Sequence, residues 1–211
     1  MSGISNYGAF LLAGVLLNLT PGNDTIYILS QSMARGKRAG IFSALGIGTG
    51  SIIHTLLAAF GLSLILSQSI VLFTAVKYLG AAYLVFVGIS MFLDRSGVTT
   101  EVVQKSVAPG YAKTYRDAVL TNLFNPKVAL FFIAFLPQFI DSSYKHTVIP
   151  FLTLGFTFTF TGTLWCMVLA SFSADLTARL RARRGITSIL NKISGTVLVG
   201  LGVKLALIRA K

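Results

Sequence analysis

Asp24 and Lys127 each stand deep inside an apolar segment, and each belongs to a short polar cluster built around a proline. The first cluster is Asn18-Leu19-Thr20-Pro21-Gly22-Asn23-Asp24; the second is Asn122-Leu123-Phe124-Asn125-Pro126-Lys127. A proline removes an N–H and disturbs the carbonyl of the preceding turn, leaving backbone groups unpaired in a medium without water. Asn18, Asn23, Asn122 and Asn125 can satisfy those groups or offer them to a ligand. An intramembrane carboxylate is costly to hold charged, which makes Asp24 a candidate proton-binding group. A helix N-cap within Thr20–Asp24 is the plainer alternative. Lys127 is eleven residues from Arg116, and Asp24 is eleven from Arg35. At 1.5 Å per residue, both fall roughly 16 Å deep, near the middle of a hydrocarbon core about 30 Å thick. The two charges could face each other as a pair. They could also form a divided clamp, Lys127 attracting a carboxylate and Asp24 an ammonium. A salt bridge that only joins the two halves is the structural alternative.

The elements that must position these residues are apolar. Hydrophobic residues make up 54% of the chain and charged residues 11%, with mean hydropathy +0.77. That is too little charge for an ordinary water-facing surface. The net charge of +12 does not indicate nucleic acid, because most Lys and Arg lie in short segments between apolar runs, without interleaved aromatics. Six spans are expected, at about 7–34, 39–66, 69–93, 117–140, 147–172 and 187–208. The second and fifth contain no Asp, Glu, Lys or Arg; the sixth carries Lys192 and Lys204 near its ends.

The basic connections are Arg35, Lys37 and Arg38, then Arg95, Lys105, Lys113 and Arg116, then Arg179, Arg181, Arg183 and Arg184. The positive-inside rule places them in the cytoplasm and both termini outside, against the weaker pull of Lys204, Arg209 and Lys211. Lys145 is the exception on the opposite side. The loop 94–116 divides one transporter domain, 1–211, into repeats at 1–93 and 117–211. With three spans each, the repeats enter the membrane in opposite directions. Asn18 and Asn122 are 104 residues apart, close to half the chain. The expected fold is therefore an all-α integral membrane protein, six helices in an inverted 3+3 repeat with broken first and fourth helices. Matched breaks of this kind point to a transporter's substrate site.

His54 shares a helical face with Ser43, Gly46 and Gly50, so it should point into the bundle, as an interhelical hydrogen-bonder or a proton relay. Lys77 can snorkel to the outer surface. The single cysteine, Cys166, beside Trp165, reads as a packed residue. Thr157, Thr159, Thr161 and Thr163 do not keep helical phase and are assigned no role. The first span lacks the basic flank of a cleaved leader and reads as retained.

These residues resemble the LysE/RhtB family of bacterial amino-acid exporters. The resemblance covers nearly the whole chain: Thr20-Pro21-Gly22-Asn23-Asp24, Lys77-Tyr78-Leu79-Gly80-Ala81-Ala82-Tyr83-Leu84 with Gly88, and Asn122–Lys127 running to Phe131-Phe132 and Leu136-Pro137-Gln138-Phe139. It implies six spans in the bacterial inner membrane. It also implies efflux of small amino acids or derivatives (threonine, homoserine or its lactone, leucine) by exchange driven by the proton-motive force. Asn23 departs from the family's usual second proline, which leaves the substrate's identity open.

The expected partners are a small amino acid, protons and the lipid bilayer, with no nucleic acid; the small-residue face suits a homo-oligomer as well as a single subunit. Substrate would be bound by Asn18, Thr20, Pro21, Gly22, Asn23, Asn122, Asn125, Pro126 and Lys127, with Asp24 and His54 coupling protons. An exporter of a metal ion or another small metabolite, within the same superfamily, is the alternative, but for a metal one buried Asp and one Cys supply few ligands. An intramembrane enzyme would need a nucleophile and base or a metal-bound water. No such motif is present, so neither catalytic residues nor a cofactor or metal is assigned.

Overall fold

The computed structural model describes residues 3–62, 70–93, 110–141, 144 and 148–172, with individual positions between 192 and 207. Helix α1 (Tyr7–Leu19) is followed by α2 (Asn23–Arg35) and α3 (Lys37–Leu57), which continues through a π-turn to Leu62. Then come α4 (Ile70–Leu93), α5 (Tyr111–Leu123), α6 (Pro126–Phe139) and α7 (Val148–Ser171). Among the described residues there is no strand, only a single bridge between Ile4 and Ile140. Among the described residues two helices, Lys37–Leu62 and Val148–Ser171, are long and apolar enough to cross a membrane. The bent pair Tyr111–Leu123 and Pro126–Phe139 makes a third if it is one span.

Both breaks fall where the prolines require them. Helix α1 ends at Thr20, whose hydroxyl donates back to the Leu16 carbonyl at 2.8 Å. Gly22 is extended, and α2 starts on the far side of Pro21. In the second break, the Asn125 side chain accepts from the Lys127 N–H at 3.1 Å, and Pro126 takes the first helical position, where its missing N–H costs nothing. The helices bend by 48° there. Helix α5 begins at Tyr111, inside the stretch read as loop. Gly110 leads into it in an extended conformation, so the helix starts there rather than at the charge of Arg116. Between α2 and α3 a single residue, Gly36, turns the chain with φ +80°, a region that favours glycine.

Helices α3, α5 and α7 pack closely through small residues. A Cβ at Gly46 would overlap the Tyr115 carbonyl and Ala118, one at Gly50 would meet Asn122, and one at Gly155 would meet Thr55. The backbone oxygen opposite Gly46 cannot rotate away. Gly46→Val is therefore expected to force α3 from α5, at a cost of about 1–3 kcal/mol, seen as a lowered thermal midpoint in detergent. An unchanged midpoint would mean that the two helices separate freely. Arg35 links the same end of the bundle: it donates to Gln31 and to the Thr114 hydroxyl, and lies 5.7 Å from the centre of the Tyr111 ring.

Among the described residues two apolar clusters form the core. One joins Phe10 of α1, Phe131, Phe132, Phe135 and Phe139 of α6, and Phe151 and Phe158 of α7. The other joins Ile28 and Leu29 of α2, Ala44 and Ile47 of α3, Ala118 of α5 and Leu169 of α7. Along both α3 and α7 the two clusters are separated by small and polar residues, Gly48 and Ser51 on one, Thr159, Gly162 and Thr163 on the other. That polar layer holds the cavity.

The expected sixth span, 187–208, lies largely outside the described residues, as do Arg95, Lys105, Lys145, Arg179, Arg181, Arg183, Arg184, Lys204, Arg209 and Lys211, and the side chain of Lys77. One described position, Gly195, closely approaches Gly88 of α4.

Candidate functional site

The two sequence breaks meet in space, each completing the other. Lys127, from the second break, donates its ammonium to the carbonyls of Leu17 and Thr20, both at 2.8 Å. These are carbonyls that Pro21 leaves without helical donors, at the negative end of α1. Asp24, in the first turn of α2, accepts from the Asn122 side chain at 2.8 Å. A carboxylate there suits the positive end of the helix. Its other oxygen, Oδ1, is buried and has no well-aligned partner, although the Asn125 side chain is near enough to the carboxylate to interact with it.

Of the two arrangements open for Asp24 and Lys127, a direct pair and a divided clamp, the direct pair is not formed. Among the described residues the sole salt bridge joins Arg116 to Asp117 on the surface. Lys127 instead gives two of its hydrogen bonds to backbone carbonyls at the end of α1. The two charges still border one cavity, and each is held by the opposite half of the chain.

That cavity, about 540 Å³ when the open solvent at its mouth is counted, lies between the two breaks. Of the residues expected at the site, Asn18, Thr20, Gly22, Asp24, Asn122, Asn125 and Lys127 border it. Pro21, Asn23, Pro126 and His54 do not. Asn23 and Pro126 are exposed, and the two prolines act by shaping the breaks. His54 stands behind Asn122: its Nε2 lies 3.3 Å from the Asn122 carbonyl and its ring stacks on Phe132. It therefore holds Asn122 in place as an interhelical hydrogen-bonder.

Helix α7 is the wall that sequence reasoning missed. Phe158, Thr159, Gly162, Thr163, Trp165 and Cys166 all border the cavity. The Asn18 amide donates to Thr161 at 3.2 Å, Thr159 lies 3.5 Å from Thr55, and Thr157 pairs with Tyr7. The threonines that gave no helical phase serve different neighbours rather than one face. The signal that could have found them is Thr159-Gly162-Thr163-Cys166 at spacings of three, one and three, a narrow stripe of small residues, matched by Gly48-Ser51-Thr55 on α3. Cys166 is buried in the second apolar cluster, as a packed thiol should be. Among the described residues no three His, Cys, Asp or Glu side chains converge to hold a metal ion.

The chain matches the family described as LysE type translocator over residues 15–209. It belongs to that family. A Vibrio cholerae relative described as an uncharacterized membrane protein is 33% identical, over 96% of this chain and 97% of the relative. The Bacillus subtilis membrane protein YrhP is 30% identical, over 94% and 97%. A leucine efflux protein of Salmonella typhimurium is 28% identical, over 99% and 98%. No solved structure matches the translocator. Family and apolar helices together make it a membrane protein.

Proposed function

We propose that this translocator exports small neutral amino acids or their derivatives from the cytoplasm, leucine, threonine and homoserine or its lactone among them, by proton-coupled antiport. The observation that carries this reading is the cavity between two mutually completed helix breaks, with one carboxylate and one ammonium on its walls. A zwitterion presents the complementary pair of charges. The likeness to a leucine efflux protein supports the substrate class. The cargo is bound by Asn18, Thr20, Gly22, Asn122, Asn125 and Lys127, while Pro21 and Pro126 hold the backbone open. Asp24 takes up and releases the proton, and His54 acts through Asn122.

In this reading 1–211 is one transporter domain in a bacterial inner membrane, with six spans as an inverted 3+3 repeat and both termini periplasmic. The reciprocal use of the two breaks supports the repeat: the α1–α2 break and the α5–α6 break each lend a side chain to the other. Proteoliposomes loaded with labelled amino acids, with and without an imposed pH gradient, test the function. Gradient-dependent movement of a few neutral amino acids is expected. If well-folded protein moves none of them under either condition, the amino-acid reading fails.

A further inference from the structure

We propose that Trp165 is a cargo-binding residue whose indole N–H donates to a carboxylate oxygen of the cargo, while Asp24 and Asn122 receive its ammonium. This rests on the amino-acid reading above and assigns the orientation in which the cargo lies. Among the described residues, four buried side-chain atoms lack a hydrogen-bond partner: Asp24 Oδ1, Asn122 Oδ1, Trp165 Nε1 and Ser32 Oγ. The first three belong to residues that border the cavity between the breaks. A buried tryptophan N–H usually finds an acceptor, because leaving it without one forfeits the hydration it had in water.

The chemistry of the three atoms is complementary to a zwitterion. Two are oxygen acceptors on α2 and α5, and an ammonium is a donor only. The third is a donor on α7, and an ionised carboxylate is an acceptor only. Lys127 keeps one N–H group for the cargo carboxylate, since two of its three already hold Leu17 and Thr20, and Trp165 supplies a second donor. The ammonium thus faces α2 and α5 and the carboxylate faces α7. Leu17, Val128 and Phe158 remain as an apolar wall for the cargo's side chain.

Trp165 is the single tryptophan of the chain, so its emission reports on this wall without labelling. The test compares L-leucine with 3-methylbutylamine, which keeps the ammonium and side chain of leucine and has no carboxylate. In full-length reconstituted protein, Trp165→Phe keeps an aromatic ring and removes the donor. Its apparent affinity for L-leucine is expected to fall about 10- to 100-fold, the worth of a hydrogen bond to a charged group, while inhibition by the amine changes less than about twofold. Equal losses for both probes, or no loss for leucine, would overturn the assignment.

Should the variant be inactive throughout, wild-type fluorescence decides. An emission change with L-leucine that the amine does not reproduce supports the contact; the same response to both, or none to leucine, rejects it. If wild-type protein moves L-leucine but Trp165→Phe moves it equally well, the role of Trp165 alone fails. If wild-type protein neither moves nor binds any neutral amino acid, the proposed function fails and this inference with it.

Discussion

Replacing Asp24 by Asn is expected to reduce pH-gradient-driven efflux to the level of protein-free vesicles, while exchange of cargo down its own gradient continues. The substitution removes the charge and the titratable proton but keeps the shape. An asparagine oxygen at this position can still accept the 2.8 Å hydrogen bond from Asn122. The bond becomes a neutral one, which costs about 1 kcal/mol and leaves the packing intact. Loss of the gradient response with cargo exchange retained is therefore a loss of proton chemistry, whereas loss of both marks the contact of Asp24 with the cargo's ammonium. The measurement is the initial rate of labelled L-leucine movement in proteoliposomes of each orientation, with and without an imposed gradient. A gradient that still accelerates Asp24→Asn would remove this carboxylate from the coupling mechanism.

A second large effect is expected at Lys127. Lys127→Met keeps length and apolar bulk but leaves the carbonyls of Leu17 and Thr20 without their donors. Loss of two hydrogen bonds to a charged group is worth about 3–6 kcal/mol. The thermal midpoint should fall at roughly 2–4 °C per kcal/mol for a chain of this size. Transport should be lost as well, since the end of α1 that borders the cavity would no longer be fixed. Lys127→Gln, which retains an N–H donor, should recover part of the stability and little of the transport. A Lys127→Met protein as stable as wild type would show that these carbonyls have other partners.

The two breaks are legible in the residues, because proline cannot donate to a helix and Asn125 beside it can cap one. The small face of α3 was legible too, since Ser43, Gly46, Gly50 and His54 repeat at helical spacing, and all four are buried. The threonines of α7 were not, because each answers a different neighbour: Thr157 meets Tyr7, Thr159 meets Thr55 and Thr161 meets Asn18. A pattern set by several partners has no single period to find.

The partners of the charges were also out of reach. Counting residues placed Asp24 and Lys127 at similar depth, and depth alone left a direct pair and a divided clamp both open. Tertiary packing decided their partners: bending α5 against α6 brings Lys127 to the open carbonyls at the end of α1, and Asn122 to the carboxylate at the start of α2. The sequence by itself determined the apolar helices, the site of each break and the residue types gathered there, because hydropathy, proline geometry and capping are local. Which side chain meets which, and that α7 with Trp165 closes the cavity, was decided only by the tertiary structure, because hydrogen bonds between helices depend on how whole helices pack.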